Sequence, residues 1–309
     1  MVFNSLGVLK DHFADPLVQE VMINGPDAIF IERAGQMMKL DVKLTEQQIM
    51  SAITVLASRA GKQMRAGTKD CVLNERWVGA RICAVIPPVA LDGPGMSIRK
   101  HSSVKLTLAD YVERGVMDKA TREVLVDLVR TRKNVIVAGG TGSGKTTFIK
   151  ALIEEIDEGD RILTIEDLPE LDIKKPNRIQ LEAREDMELG FSEMVKTALR
   201  LRPDRIILGE VRGASALDLL NAANTGHEGC LSTLHANSSF EALSRFEDMV
   251  MGSKTSIPLE SIQQRIATTF HNIIFMARIK GQCRLVEILQ LDGFDLAKRQ
   301  YKFQYLYGG

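Results

Sequence analysis

The sequence predicts an α/β protein made of two domains, and three features of the chain support this prediction. Its 309 residues leave room for about two domains of roughly 150 residues each. The first hundred residues alternate strand-like runs with turn signals, whereas helix and strand patterns alternate after residue 117. A glycine-rich loop pattern lies between one such strand and helix. We therefore expect a smaller α+β domain in residues 1–101, a linker in 102–116, and a larger domain in 117–309 whose mainly parallel sheet is covered by helices on both faces.

The composition is that of an ordinary globular protein, with 45% hydrophobic and 26% charged residues. Lysine plus arginine and aspartate plus glutamate both number 40, so the formal net charge is zero. Generic nucleic-acid-binding proteins usually carry a basic excess, so this balance argues against that class, although a local basic face is not excluded.

The cysteines and the N-terminal sequence indicate the cellular compartment. The 4 cysteines form no C-x-x-C pair, and we expect reduced thiols of a cytoplasmic protein. The start, MVFNSLGVLKDHF, lacks the basic region and apolar core of a signal peptide. Uncharged stretches stop short of about 18 residues, so we expect no membrane-spanning helix.

The sequence of the first domain predicts strands, then one helix, then further strands. The runs VQEVMI, AIFIER and MMKLDVKL are strand-like and are separated by turn signals such as NGP. Thr45 and Gln48 fit a capping box, and apolar residues then recur at helical spacing until Gly61, which predicts a helix. The runs ICAVIPPVA and MSIRK predict further strands, which makes this part of the chain an α+β unit.

The second domain begins with the helix pattern ATREVLVDLVR and a buried strand over 134–138. The strand-like runs RILTIE, RIQL, RIILGE and GCLSTLH are separated by helical patterns such as FSEMVKTALRLR and SALDLLNAAN. At the C-terminal end, FHNIIFMARI, CRLVEILQL and RQYKFQYLY predict an antiparallel meander. Tyr301, Phe303, Tyr305 and Tyr307 alternate along its last strand, either as a row packed into a core or as a docking face for a partner.

The sequence GGTGSGKT, from Gly139 to Thr146, matches the phosphate-loop pattern G-x-x-x-x-G-K-[ST]. Glycines let such a loop fold tightly, so that backbone N–H groups converge on phosphate oxygens. The following helix directs its positive N-terminal end at the same anion. Lys145 would reach the β- and γ-phosphates, and the Thr146 hydroxyl would complete the coordination of Mg²⁺. The sequence therefore predicts that the chain binds a nucleoside triphosphate.

Acidic groups that follow strand patterns are candidates for chemistry at the phosphate. Glu210 ends the apolar run RIILGE, where it could orient or polarise an attacking water; a surface glutamate at the end of an ordinary strand is the alternative. Glu166, Asp167 and Glu170 follow RILTI and could help to hold Mg²⁺ or the water, or could be solvated loop acids.

Two histidines lie in the stretch TGHEGCLSTLHAN, at positions His227 and His235. Their spacing is not that of a zinc-protease helix, and each could be a structural histidine. Their position after a strand that begins near the carboxyl edge favours a role in the site, because ligands gather at that edge in open α/β sheets.

Four stretches in chain order resemble motifs of the secretion ATPase superfamily, specifically the traffic ATPases of type IV secretion and conjugative transfer. GGTGSGKTT, TIEDLPEL, LRLRPDRIILGEVRG and TGHEGCLSTLHAN resemble that family's Walker A motif, Asp box, Walker B motif and His box. EVMINGPDAIFIERAG, VGARICAVIPPVA and GPGMSIRKH agree as well, so the resemblance extends from about residue 6 to about residue 250. The His box and GEVRG are more specific than the phosphate loop, which many ATPases share.

The resemblance implies a RecA-like P-loop ATPase domain behind a smaller N-terminal α+β domain, with ATP and Mg²⁺ bound between the two. It implies that Glu210 is the catalytic Walker B glutamate, Glu166 a catalytic and Mg²⁺-binding acid, and His235 the catalytic histidine of the His box. Arg81 and Arg99 fall on motifs whose arginines point from the N-terminal domain towards the γ-phosphate, where they would stabilise transition-state charge. Thr146 is the second implied Mg²⁺ ligand. The implied ATP-binding residues are Gly139, Gly140, Thr141, Gly142, Ser143, Gly144, Lys145, Thr146, Thr147 and His227.

The resemblance also implies a homohexameric ATPase that powers assembly of, or substrate transfer through, a type IV secretion or conjugation apparatus. Such a ring would lie in the cytoplasm at the inner face of the inner membrane, in contact with inner-membrane components of the channel and peripherally with the membrane. No sequence-specific nucleic-acid binding is expected. Ser215 stands where the family has an acidic residue, and the sequence lacks the tetracysteine zinc motif of type II secretion relatives.

Two other functions are open at this point. A RecA-like nucleic-acid motor would need a basic channel studded with aromatic residues, whereas aromatic residues make up only 5% of this chain and its net charge is zero. A nucleotide-gated scaffold would bind ATP without useful turnover, and the candidate catalytic groups argue against it.

Overall fold

The computed structural model describes residues 6–77, 80–100, 106–167, 169–253 and 255–308. They belong to two compact units, the first ending at Ser103 and the second beginning at Val104. The predicted domain boundary at residue 101 and the start of the predicted linker, 102–105, lie outside the described residues. Across the described ranges, every helix is too short or too polar to cross a membrane.

The first unit is one antiparallel sheet with a helix packed on one face. Its strands lie in the order β3-β2-β1-β6-β5-β4. The strands are β1 (Val18–Ile23), β2 (Ile29–Arg33), β3 (Gln36–Lys39), β4 (Val72–Trp77), β5 (Ala80–Val85) and β6 (Gly95–Lys100). The helices are α1 (Lys10–Ala14) and α2 (Glu46–Arg59).

Helix α2 begins where the sequence predicts a helix start. Gln48 N–H donates to Thr45 Oγ1 at 3.1 Å, and Thr45 N–H donates to Gln48 Oε1 at 2.8 Å. This capping box satisfies two backbone donors at the exposed end of the helix. Ile49, Ile53 and Leu56 then pack into the apolar core beneath the sheet, so the cap and the helical spacing agree.

The second unit is one mixed sheet covered by helices on both faces. Its strands lie in the order β14-β13-β12-β7-β11-β10-β8-β9. Pairing is parallel from β12 through β7, β11, β10 and β8 to β9, and antiparallel for β12-β13 and β13-β14. The strands are β7 (Val135–Gly139), β8 (Ile162–Glu166), β9 (Arg178–Glu182), β10 (Arg205–Leu208), β11 (Leu231–Leu234), β12 (Asn272–Ile279), β13 (Gln282–Asp295) and β14 (Gln300–Tyr307). The helices are α3 (Leu108–Glu113), α4 (Lys119–Arg130), α5 (Lys145–Glu154), α6 (Phe191–Arg200), α7 (Ser215–Ala223), α8 (Ser239–Gly252) and α9 (Leu259–Thr269).

Alternate residues of the central strand β7 supply the two cores of this unit. Val135 and Val137 face one core, and Ile136 and Ala138 face the other. Successive side chains of a strand point to opposite faces, so a strand covered by helices on both sides must be apolar throughout. This is why the run before the phosphate loop contains no polar residue.

The described part of the predicted linker belongs to the second unit. Asp110 N–H donates to Thr107 Oγ1 at 3.2 Å and starts helix α3. Leu108 and Tyr111 are buried in a core of the second unit, and the Tyr111 ring meets Phe148 edge-on at 5.2 Å. Only one face of this short helix is apolar, which is why the sequence there reads as a polar connector.

The C-terminal meander forms as the sequence predicts, and its first strand joins the main sheet beside β7. The aromatic row along β14 does not act as one unit. Tyr301 packs against one core and Tyr307 against the other, while Phe303 and Tyr305 are 38% and 40% exposed. Register shifts between β13 and β14 interrupt the alternation, so neither a buried row nor a continuous docking face describes all four side chains.

A buried ion pair fixes the start of β10. The Arg205 guanidinium donates from Nε to Asp160 Oδ2 at 2.7 Å and from Nη2 to the Val129 carbonyl oxygen at 3.0 Å. Asp160 also accepts from Arg132 Nη2 at 2.6 Å. A guanidinium taken out of water needs partners of this kind, since an unpaired buried charge is strongly destabilising. The pair thus holds the amino end of the strand that leads to Glu210.

We predict that Asp160→Asn lowers the free energy of unfolding by about 3 kcal/mol or more, because it leaves the buried Arg205 charge without its counter-charge. The matched control is Glu260→Gln, which removes the carboxylate of an exposed pair with Arg299 (3.2 Å) in the same unit. That change should cost under about 1 kcal/mol. Urea unfolding followed by circular dichroism measures both variants, and equal small losses would contradict the assignment.

Candidate functional site

Several predicted motifs follow the carboxyl ends of adjacent parallel strands. Strand β7 leads into the phosphate loop, β11 into His235, β10 into Glu210, and β8 ends at Glu166. These strands lie side by side in the order β7-β11-β10-β8. Because parallel strands end at the same edge of a sheet, motifs that are up to about a hundred residues apart in sequence meet there.

The phosphate loop turns tightly between β7 and α5. A Cβ on Gly139, whose φ is +157°, would overlap the Met276 carbonyl oxygen and lie 2.5 Å from Ser143 Oγ. Gly144 precedes α5 in the left-handed conformation, with φ of +90°. Ser143 is buried, and its hydroxyl has no hydrogen-bond partner among the described residues. The turn requires glycine at two positions, the Ser143 hydroxyl has no partner among the described residues, and the first N–H groups of a helix have no acceptor within the helix. Together these features fit a bound phosphate.

The other predicted phosphate-binding residues belong to the same turn or to the first turn of α5. They are exposed or half-buried, as an open ligand site requires. These residues are Gly140, Thr141, Gly142, Thr146 and Thr147.

The Lys145 ammonium is buried at the centre of this edge. Lys145 is 7% exposed, and its Nζ donates to the carbonyl oxygens of Gly139 at 2.9 Å and Gly140 at 2.8 Å. Burial lowers the pKa of Lys145 to about 8, although the Glu210 carboxylate acts in the opposite direction. The ammonium therefore rests on the loop's own carbonyl oxygens, where an anion bound in the loop would meet a poorly hydrated cation.

Both carboxylate oxygens of Glu210 have polar neighbours. Arg212 Nη2 donates to Oε2 at 2.7 Å, and His235 Nε2 lies 3.5 Å from Oε1. Burial favours the neutral carboxyl, but the hydrogen bond and charge of Arg212 and the charge of Lys145 outweigh it, so the pKa of Glu210 lies below its usual value. At neutral pH this carboxylate is ionised and can accept a proton.

His235 lies between the lysine and the glutamate. Its Nδ1 is 3.5 Å from Lys145 Nζ, and its Nε2 is 3.5 Å from Glu210 Oε1. Burial and the charge of Lys145 lower the pKa of His235, and Glu210 offsets only part of this effect. A neutral imidazole can accept a proton or hydrogen bond at one nitrogen while it donates at the other. His235 thus connects the phosphate loop to the strand-end carboxylate.

Glu166 is 3% exposed and binds the turn that follows it. Its Oε1 accepts the N–H groups of Glu170 at 2.8 Å and Leu171 at 3.1 Å, while its buried Oε2 has no hydrogen-bond partner among the described residues. Burial raises the pKa of Glu166 to about 7. A Cβ on Gly209 would lie 2.9 Å from Glu166 Cγ, so the glycine before Glu210 lets the two strand ends pack closely. Glu166 therefore anchors its turn and has one oxygen left for a ligand.

The structure places His227 away from this edge, and its assignment as an ATP-binding residue stays a prediction. His227 precedes β11 and His235 follows it, so the two histidines lie at opposite ends of the strand. Close to His227, a Cβ on Gly229 would overlap the guanidinium of Arg205, the first residue of β10. The length of β11 separates His227 from the phosphate loop.

Arg81 and Arg99 lie in the first unit as direct cross-strand partners on β5 and β6. Arg76 of β4 is the partner of Arg81 on its other side, and Glu20 of β1 is the partner of Arg99. Three arginines thus form a row across one sheet face, and Arg81 and Arg99 are exposed. Like charges opposite one another are unfavourable in a sheet, and Glu20 opposite Arg99 is an acidic neighbour at the end of the row. Sequence analysis missed Arg76 because strand register cannot be read from one strand alone.

Arg212 is a second residue to which the sequence analysis assigned no role. Its Nη2 reaches Glu210 and its Nη1 reaches Asp167 Oδ2 at 2.9 Å. The local signal was a cation two residues after the strand-end glutamate, and only the sheet order shows that a second carboxylate lies within reach.

We predict that wild-type stability, measured without nucleotide or Mg²⁺, falls with rising pH relative to Glu166→Gln. The pKa of Glu166 is raised in the folded chain to about 7, so the stabilisation by its neutral form is complete below the unfolded pKa and is lost as pH rises through 7. The difference between pH 5 and pH 8 should be about 2 to 3 kcal/mol. Urea unfolding at the two pH values tests this; parallel pH dependences in wild type and variant would contradict it. Glu260→Gln should follow the wild type.

Comparison with known proteins agrees with the motifs. The family model for "Type II/IV secretion system protein" matches residues 5–300. The chain is 32% identical over 288 residues to the conjugal transfer protein TrbB of Rhizobium radiobacter, covering 91% of this chain and 85% of that protein. It is 30% identical over 333 residues to the type IV secretion system protein VirB11 of Bartonella henselae, covering 93% and 92%.

Among solved structures, the ATPase DotB of Yersinia pseudotuberculosis aligns over 96% of this chain and 80% of its own, with a TM-score of 0.66 and 21% identity. That likeness supports the predicted α/β ATPase fold with its smaller N-terminal domain. A family match over nearly the whole length and relatives at this level of identity show that the chain belongs to the type II/IV secretion system protein family, among the traffic ATPases of type IV secretion and conjugative transfer.

Proposed function

We propose that this chain binds ATP with Mg²⁺ at its phosphate loop, hydrolyses it, and uses the reaction to power assembly of, or substrate transfer through, a type IV secretion or conjugation apparatus. The observation that supports this most directly is the row of groups along the sheet edge. Lys145, His235, Glu210 and Arg212 follow one another at distances of 3.5, 3.5 and 2.7 Å. The row joins a phosphate-binding cation to an ionised carboxylate.

Binding is assigned to the loop and the start of α5. The N–H groups from Gly139 to Thr147 would surround the phosphate oxygens, and Lys145 would move from its loop carbonyls to the β- and γ-phosphates. The Thr146 hydroxyl would hold Mg²⁺, with Glu166 Oε2 as the second protein oxygen, since Mg²⁺ prefers one or two protein ligands plus phosphates. When bound, the ion neutralises charge that develops on the phosphate oxygens.

Turnover is assigned to Glu210 and His235. Glu210 is ionised, so it can orient the attacking water and accept its proton. His235 lies within 3.5 Å of both the lysine and this carboxylate and would hold their relative positions as the phosphate charge changes. Arg81 and Arg99 would supply cations to the transferred phosphoryl group, a contribution that is greatest in the transition state.

We further propose a homohexamer that works in the cytoplasm at the inner face of the inner membrane. Its partners would be inner-membrane components of the secretion channel, with peripheral rather than spanning contact with the membrane. The conjugal transfer and type IV secretion names of the relatives support this assignment. ATP turnover per subunit across a protein-concentration series tests it: the rate should rise as the ring assembles, and a rate independent of concentration, with a monomer throughout, would contradict it.

We predict that Lys145→Ala weakens ATP binding by roughly 10- to 100-fold, the range expected for loss of a charged hydrogen-bond donor. Equilibrium binding of a fluorescent ATP analogue measures the effect. Lys302→Ala is the control, because that lysine is exposed and pairs with Asp295 on the C-terminal strands. Unchanged affinity in Lys145→Ala would refute the assignment of the phosphate cradle.

We predict that Glu210→Gln keeps ATP affinity within about threefold of wild type while kcat falls by roughly 100- to 10,000-fold, the contribution of a positioned general base. Glutamine preserves size and hydrogen bonding but cannot accept the proton. Steady-state phosphate release measures the rate, with Glu260→Gln as the exposed control. An active Glu210→Gln variant would exclude this residue as the base.

A further inference from the structure

Arg212 is placed as a fork between two carboxylates that belong to different strands. Its Nη2 donates to Glu210 Oε2 at 2.7 Å, and its Nη1 donates to Asp167 Oδ2 at 2.9 Å. Glu210 follows β10, whereas Asp167 follows β8, the neighbouring strand. A planar guanidinium can hold two carboxylates at once in fixed directions, which a single ammonium cannot do as well.

The backbone that carries Arg212 is held on both sides. Ser215 Oγ accepts the Arg212 N–H at 3.1 Å and donates to the Arg212 carbonyl oxygen at 2.8 Å, which ties the residue to the start of α7. Val211 N–H donates to the Thr233 carbonyl oxygen at 2.9 Å, and Val211 itself is buried. The backbone at Arg212 is therefore anchored independently of the contacts that the guanidinium group makes.

The Asp167 end of the fork is anchored as well. Glu166 fixes the turn that contains Asp167 by accepting the N–H groups of Glu170 and Leu171. Gly209 N–H donates to the Ile165 carbonyl oxygen at 2.8 Å, so the two strand ends also pair through the backbone. Glu210 is thus connected through Arg212 to a turn that is itself fixed.

We propose that Arg212 is a positioning residue for ATP hydrolysis: bridged to Asp167, it holds the Glu210 carboxylate in one orientation towards the attacking water. The charge and hydrogen bond of Arg212 also favour the ionised form of this carboxylate. This inference rests on the proposed function, because it assigns Glu210 the role of general base. Ser215 contributes by holding the Arg212 backbone through two hydrogen bonds.

The groups that face Glu210 favour this role for Arg212 over a purely structural one. His235 Nε2 lies 3.5 Å from the other carboxylate oxygen, and Lys145 is close enough to influence the carboxylate by its charge. Both of these neighbours are assigned to the phosphate site, so their contacts with Glu210 will change when ATP binds. Arg212 contacts the other carboxylate oxygen and is itself bridged to Asp167, so it can hold the carboxylate while those contacts change.

The test compares Arg212→Gln, Asp167→Asn and the double variant with wild type, using steady-state ATP hydrolysis and ATP-analogue binding. Arg212→Gln should lower kcat by roughly 10- to 100-fold, the size of effect expected when a reacting group is misplaced. KM and the number of binding sites per chain should stay within about twofold, because the proposal gives Arg212 a role in positioning Glu210 and none in binding the nucleotide. The control is Arg299→Gln, an exposed arginine paired with Glu260, which should retain wild-type turnover.

The double variant distinguishes a bridge from two separate effects. If Arg212 acts through its link to Asp167, Asp167→Asn should lower kcat by a smaller factor, and the double variant should be no worse than Arg212→Gln alone. Losses that multiply would overturn the bridge. Wild-type kcat in Arg212→Gln, or a rise in KM with kcat unchanged, would overturn the positioning role. If Arg212→Gln misfolds and loses ATP-binding sites, the test relies on Asp167→Asn alone. The proposal then requires that Asp167→Asn lowers kcat while the number of ATP-analogue binding sites per chain is unchanged.

The pH dependence of kcat distinguishes a positioning role of Arg212 from a general loss of structure in the variant. Without Arg212, burial of Glu210 is opposed only by Lys145 and His235, so its pKa rises and the acid limb of the kcat profile should move to higher pH in Arg212→Gln. An acid limb that stays in place while kcat falls would overturn the proposal. Failure of the proposed function is recognised separately, by a wild-type chain without turnover or by an active Glu210→Gln variant.

Discussion

The ammonium group of Lys145 lies in the protein interior at the end of the central strand, and the rest of the site is arranged around that charge. A buried cation is tolerated only where oxygen atoms replace its water, and here the phosphate loop supplies two carbonyl oxygens. The Glu210 carboxylate adds a negative charge nearby, and burial together with Lys145 favours the neutral imidazole of His235 between them. Each of these groups interacts with the lysine, by hydrogen bonds from its ammonium group or through its charge.

Glu166 and Glu210 end neighbouring strands, yet their pKa values are displaced in opposite directions. Glu166 is enclosed by apolar packing and the backbone of its own turn, so burial raises its pKa to about 7. Glu210 is also partly buried, but the Arg212 guanidinium and Lys145 outweigh burial and keep the carboxylate charged. Two carboxyl groups whose environments displace their pKa values in opposite directions commonly have different chemical roles. Here one carboxyl group organises the turn and the other is available to take a proton.

Buried polar atoms without a hydrogen-bond partner among the described residues occur at both edges of the large sheet. At the amino edge, Arg205 pairs with Asp160, and Asn134 bonds to the backbone of both Cys230 and Thr269, but Arg205 Nη1, His227 Nδ1 and Asn272 Nδ2 have no partner among the described residues. At the carboxyl edge, a buried hydroxyl of Ser143 and an oxygen of Glu166 have no partner among the described residues. The unpaired oxygens of Ser143 and Glu166 differ from the unpaired atoms at the amino edge in their place, because they lie beside the phosphate loop, where a bound ligand could satisfy them.

Local sequence was sufficient for the phosphate loop and the start of α2, because both depend on residues within a few positions of each other: glycines that permit the turn, and Thr45 with Gln48 at the helix start. Local sequence also showed the alternation of helix and strand patterns, which predicts a parallel sheet covered by helices. It could not show that His235, rather than His227, reaches the loop, that Arg212 spans to Asp167, that Arg76 joins Arg81 and Arg99, or that the predicted linker contains α3. Those facts follow from strand order, register and which face of an element is buried. For His235 and for Arg212, the contacts join residues far apart in the chain, so no single stretch of sequence contains both partners.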